Sequence, residues 1–322
     1  MRPLPFAPLA ALLLSFCLAG LAQARELPDP DLRERDRQRL DAALAALVPQ
    51  RPGQPDLYAI GFGGDSEENV FRNEASYFER VMNERFGAQG RTIALINHAD
   101  SLGASPHPLA TPGNLRATLA AMGKAMDPEQ DILMLFMSMH GTQQHQLLLR
   151  MAPKYVDLID PTWLRKALDD AGIRNRVLVI SACYSGGFIP LLENDDTLIM
   201  TASHRNRPSF GCGADSDATY FGRAWLIEGL NATSDFAAAF EQAKLRIAER
   251  ERAGNFKPSR PQIEIGDRIA SKLAAWRAQL VPGPVIAYAP PASTPVVTET
   301  PATAAPPPPD TKPQTHRKHR RR

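Results

Sequence analysis

The sequence predicts an α/β protein: a three-layer α/β/α sandwich around a mostly parallel sheet of about six strands. Two apolar runs carry the expectation, residues 132–137 and 177–180. Each is unbroken by polar residues and too short for a buried helix, the pattern of a strand covered on both faces. Between them Asp160-Pro161-Thr162 marks a helix start. Strand, helix and strand therefore follow in the order of a parallel crossover unit.

Taken from the amino terminus, Arg2 precedes an apolar run at 9–21 and then Ala22-Gln23-Ala24. These are the charged region, apolar core and small-residue cleavage site of a secretory signal peptide, residues 1–24. The apolar core falls short of the ~20 residues that hold a span in a bilayer. Cleavage near Arg25 sends the mature chain across the inner membrane, to the periplasm or the cell envelope of a bacterium. A lipid anchor on Cys17 competes poorly, because Phe16 precedes it where a small residue belongs.

Residues 25–55 read as a helical arm, charged and helical in period over 31–47 and ended by Pro49. The domain proper is 56–280. Its first strand, from Leu57, closes on Gly61, Gly63 and Gly64, which lack both the spacing of a dinucleotide loop and the lysine of a phosphate loop. A helix at 69–86 puts Phe71, Ala75, Phe78 and Met82 on one face, and 92–97 is the second strand. Thr111 caps a helix that opens with Pro112 and runs to about Met126. After the strand at 132, residues 146–151 make a short hairpin strand, and the crossover helix ends at Gly172. A fifth strand at 197–202 leads into a loop, 203–217, long enough to line a pocket. Helices at 217–230 and 234–252, an edge strand at 262–266 and a closing helix at 269–280 complete the domain.

Charge divides the chain. The whole carries a formal +2, residues 281–322 hold six Lys and Arg against Glu299 and Asp310, and residues 25–280 are left at −3. Nothing in that balance points to nucleic acid. The tail, 281–322, is rich in Pro, Ala and Thr and reads as a disordered, extended segment. Its tip, from His316 to Arg322, has two readings: contact with anionic envelope polymers or a membrane surface, and a solvated end. Oligomeric state is not legible. Without Cys17 the mature chain keeps Cys183 and Cys212, too few for a disulfide framework. Pairing the two would block Cys183, and Cys212 reads as a packed residue.

The chemistry sits at the ends of the two apolar runs. One ends in Ser138-Met139-His140-Gly141, the other in Ser181-Ala182-Cys183-Tyr184-Ser185-Gly186-Gly187. Ligands of open α/β sheets bind at the carboxyl ends of the strands, so neighbouring strands would present His140 beside Cys183. A thiol with a pKa of ~8.5 needs such an imidazole to become thiolate at neutral pH. The N–H groups of Gly141 and Cys183 are the candidate oxyanion hole. Either residue alone would more readily be a core histidine or a buried cysteine. His98 and His145 come with no HExxH, CxxC or clustered carboxylates, so no metal and no cofactor is expected.

These two motifs resemble the His-Gly and Ala-Cys-x-Ser-Gly motifs of the C13 peptidases, the legumain and GPI-transamidase family, which share the caspase-like fold. Thr111-Pro112-Gly113-Asn114 is similar to the family's Thr-Pro-x-Asn helix start. Ser209-Phe210-Gly211-Cys212 and Thr219-Tyr220-Phe221-Gly222 resemble the segment after the fifth strand. The resemblance spans about 56–230. It implies a cysteine-type endopeptidase, with Cys183 as nucleophile, His140 as base, and Ser209, Phe210 and Gly211 as an edge for an extended peptide or protein substrate. Legumain-type enzymes carry an acid directly after the cysteine, where Tyr184 stands, and another where Arg223 stands. An arginine of their first loop has no match in Glu68-Asn69-Val70-Phe71. A first-pocket preference other than asparagine follows, with Arg223 hinting at an acidic or polar side chain. A transamidase on the same dyad and an inactive peptide-binding envelope protein are the alternatives.

Overall fold

The computed structural model describes residue 27 and residues 29–290, except 104, 153, 214 and 215. The signal peptide expected at 1–24 and the tail beyond 290 lie outside the described residues.

The chain begins with α1 (Pro30–Ala45), capped by Asp29, whose carboxylate accepts the N–H groups of Asp31 and Leu32. Then follow β1 (Leu57–Gly63), α2 (Asn69–Glu84), β2 (Thr92–Ile96), a 3-10 turn at Ala99–Leu102, α3 (Pro112–Ala125) and β3 (Ile132–Ser138). Next come the hairpin β4 (Leu147–Met151) and β5 (Tyr155–Ile159), α4 (Pro161–Asp170) and β6 (Asn175–Ser181). A 3-10 turn at Ser185–Phe188, α5 (Ile189–Leu192) and β7 (Thr197–Thr201) precede a π-helix, Gly222–Gly229, that runs into α6 (Leu230–Ala232). Last are α7 (Phe236–Ala253), β8 (Gln262–Ile265) and α8 (Asp267–Gln279). The caps expected at Thr111 and Asp160 form: their side-chain oxygens accept Asn114 N–H at 3.1 Å and Trp163 N–H at 2.8 Å.

Six strands form one sheet in the order β2-β1-β3-β6-β7-β8, parallel except for β8, which runs antiparallel to β7. The unbroken apolar runs are explained by burial on both sides. Leu133, Leu135 and Met137 face a core shared with α3 and α4, while Ile132, Met134 and Phe136 face a second core with α2, the π-helix, α7 and α8. Because β2 lies on one side of β1 and β3 on the other, the strand order reverses at β1. Ligands of open α/β sheets bind at such a reversal, here at the carboxyl ends of β1 and β3.

Three features differ from the sequence expectation. The hairpin strand has a partner, β5, whose pattern of two buried ends and an exposed middle gives little periodic signal. The helix expected from 217 is a π-helix over most of its length, and Leu230 N–H reaches back five residues to Trp225 O. The tail does not begin at Val281. Residues 281–290 pack on the domain because Ile286 is buried and its backbone is held on both sides, donating to Asn231 Oδ1 and accepting from Asn231 Nδ2 and the Tyr77 hydroxyl. Gly283 N–H is bonded to Arg85 O in the same way.

Candidate active site

β3 and β6 pair in register along their whole length, and the last pair is Ser138 with Ser181. His140 and Cys183 each stand two residues further on, so equal strand lengths bring both to the same edge of the sheet. Met139 N–H continues the contact to Ser181 O at 3.3 Å. Gly141 lies directly against the Cys183 backbone: a Cβ there would come within 2.1 Å of Cys183 O. Opposite Leu147, the bonds around Gly141 run from Leu148 N–H to His140 O and from Thr142 N–H to Gln146 O. The N–H groups of Gly141 and Cys183 have no hydrogen-bond partner among the described residues.

The half-buried Cys183 thiol is bonded to the loop after β7. Its Sγ accepts Ser209 N–H at 3.2 Å and Ser209 Oγ at 3.6 Å, and donates to Ser209 O at 3.5 Å. His140 packs edge-on against Phe71, ring centroids 5.0 Å apart. Tyr184 adopts the left-handed conformation, φ 57°, as the chain turns out of the strand. That turn is held by Tyr184 N–H to Arg207 O at 2.8 Å, with Tyr184 O accepting Gly187 N–H and lying 3.2 Å from His145 Nδ1.

Two carboxylates that no motif singled out lie within electrostatic reach of His140. Asp65, just past β1 at the reversal of strand order, is fully buried, with Arg150 Nε 3.8 Å from its Oδ2. Burial pushes its carboxyl up, while Arg150 and His140 oppose the shift. Burial also raises the half-buried Glu68, and His140 again acts against it. The available signal was positional, an acid following the glycines at the end of a buried strand. Arg150 is ion-paired to Glu67 as well, which ties the β4 hairpin to this loop.

The remaining predicted residues divide. Phe210 stacks on Phe256 at 4.3 Å, and its carbonyl accepts Tyr220 N–H at 3.0 Å; Gly211 follows at φ 90°. This segment stays beside Cys183 through Ser209. Arg223 is engaged elsewhere, ion-paired to Asp217 with its guanidinium 5.5 Å from the Tyr288 ring centre. Arg72, directly after residues 68–71, is buried and bonded to Asp100 Oδ2 at 2.6 Å. Cys212 is half-buried, and its thiol is pushed up to about 11 by burial and by the neighbouring Cys183 and Glu68. It stays protonated at neutral pH, so Cys183 is the better candidate nucleophile.

A model of the peptidase C13 family matches residues 111–272, half of the chain. The match covers His140, Cys183 and the loop at Ser209, and begins after Asp65, Glu68 and Arg72. No curated protein matches the chain.

Proposed function

The chain belongs to the peptidase C13 family, and from that premise we propose that it is a cysteine-type endopeptidase working through His140 and Cys183. The observation that carries the reading is the register of β3 and β6, which ends both strands at one level and sets the imidazole and the thiol on one sheet edge. His140 takes the proton of Cys183 Sγ, and the thiolate adds to a peptide carbonyl. The unpartnered N–H groups of Gly141 and Cys183 receive the oxyanion. As the C–N bond breaks, His140 returns the proton to the leaving amine. Water, deprotonated by His140, then cleaves the thioester, releasing the acid and restoring the thiol. An amine in place of water would give transamidation from the same intermediate.

Substrate binding and thiol release are linked in this scheme. Ser209 N–H is bonded to Cys183 Sγ at rest. An extended peptide pairing along residues 209–211 takes up that donor and frees the sulfur to turn toward His140. Tyr184 and Arg223 stand where legumain-type enzymes carry acids, so the first pocket prefers a side chain other than asparagine.

The test is a diverse peptide mixture incubated with wild type and with Cys183→Ala, cut sites being read by mass spectrometry. Wild type is expected to cut, and the variant to be inactive. Equal cutting by both, or cutting strictly after asparagine, contradicts the mechanism or the pocket respectively. The proposal also has the mature protein outside the cytoplasm, beginning near Arg25; amino-terminal sequencing of the exported chain checks it.

A further inference from the structure

Glu74, on α2, is fully buried and has no ion-pair partner among the described residues. Its carboxylate is met by donors from two other parts of the fold. Oε2 accepts Ser138 Oγ at 2.6 Å, and Oε1 accepts Thr219 N–H at 2.7 Å. Thr219 Oγ1 extends the network, lying 3.2 Å from Ser181 Oγ and accepting Gly222 N–H at 2.9 Å. The cradle is shaped for this group: a Cβ at position 222 would lie 2.1 Å from Glu74 Oε1. Ser138 and Ser181 are the register partners that end β3 and β6, and each precedes its reactive residue by two.

We propose that Glu74 is a positioning residue of the peptidase site, a single buried carboxyl that locks the ends of both strands carrying His140 and Cys183 to the segment at Thr219. The inference rests on the reading above for the identity of the reactive pair. Stability alone does not account for the arrangement. Taking a carboxylate out of water is costly, and a well-packed apolar group in such a place is often neutral or stabilising. What the carboxyl supplies is geometry, because one oxygen fixes Ser138 at the end of β3 and the other fixes Thr219, whose hydroxyl lies against Ser181 at the end of β6. Glu74 touches neither reactive group, so it acts through the backbone.

The experiment follows alkylation of Cys183 by iodoacetamide from pH 5 to 9, each cysteine being quantified by peptide mapping and Cys212 serving as an internal control. It compares wild type, His140→Ala, Glu74→Gln, Glu74→Ala and Ser138→Ala, with folding monitored by circular dichroism. In wild type Cys183 is expected to react faster at pH 7 than in His140→Ala. Glu74→Ala should slow Cys183 at pH 7 by about 10-fold and move its profile toward that of His140→Ala, a change in pH dependence that loss of packing alone would not produce. Glu74→Gln should stay within about 3-fold, since its amide oxygen accepts Thr219 N–H and its NH2 group meets Ser138 Oγ. Should Glu74→Ala not fold, Ser138→Ala, which removes one hydroxyl, carries the test and should shift the profile in the same direction.

Folded Glu74→Ala or Ser138→Ala protein with the wild-type profile overturns the proposal. A wild-type profile already matching that of His140→Ala overturns it together with the dyad. A shifted variant profile in a protein that cuts no peptide leaves Glu74 as the positioning residue and sinks the peptidase reading alone.

Discussion

At Gly141 a single added methyl group would meet the carbonyl oxygen of Cys183 at 2.1 Å, so Gly141→Ala has to push the two reactive loops apart. Misplacement by about 1 Å is enough for a loss of about 100-fold. Peptide hydrolysis by Gly141→Ala is expected to fall by that order with little change in melting temperature; activity within a few-fold of wild type would contradict the close approach. The proposed pair, His140 and Cys183, stood out in the sequence because each closes an apolar run with the same order of reactive group and glycine. Asp65, Glu68 and Glu74 did not, since they lie in the loop after β1 and on α2 and come near His140 or the strand ends only when the chain folds.

Among the elements, the strands and capped helices followed from local rules, whereas the π-helix and the docking of α1 depend on what they pack against. The segment expected as an arm is fastened to the domain by Asp36, which is buried and accepts Leu109 N–H at 2.6 Å and Asn114 Nδ2 at 2.9 Å. Asp36→Ala leaves the Leu109 N–H unsatisfied and should cost about 1–3 kcal/mol in denaturant unfolding. Burial raises the Asp36 carboxyl, with the bonds from Leu109 and Asn114 opposing the shift. The folded chain thus binds this proton more tightly than the unfolded chain does. That contribution is fully present below the ordinary Asp pKa of ~3.9 and is lost as pH rises through the raised folded value. Stability measured against pH should therefore show wild type gaining on Asp36→Asn as the pH falls toward 4. A gap that widens as pH rises would have the wrong sign.

For the whole molecule, the mostly parallel six-stranded sheet and the layers of helices were readable because β-strands buried on both faces leave a continuous apolar signal; the strand order was not. Nor was the end of the domain. Proline and small residues make 281–290 look like a linker, and only the tertiary structure supplies the pocket for Ile286 and the partners Tyr77, Arg85 and Asn231. Ile286→Ala should lower the unfolding free energy by about 2–4 kcal/mol, an ordinary core truncation. A surface-like change below about 0.5 kcal/mol would mean that the segment is not part of the folded unit. Tyr288 closes the same segment over Arg223 and donates its hydroxyl to Asp217 O, so the domain extends past the region matched by the family model to the flank of the loop after β7.

The central claim is that His140 and Cys183 act together on a peptide carbonyl. The most direct measurement is the mass of the intact protein and of its tryptic peptides after exposure to a set of peptide fluoromethyl ketones varied at the first position. The account predicts one adduct per chain, on Cys183, formed far more slowly in His140→Ala and absent in Cys183→Ala. Labelling of Cys212 instead, or adduct formation on Cys183 at the same rate without His140, would contradict it.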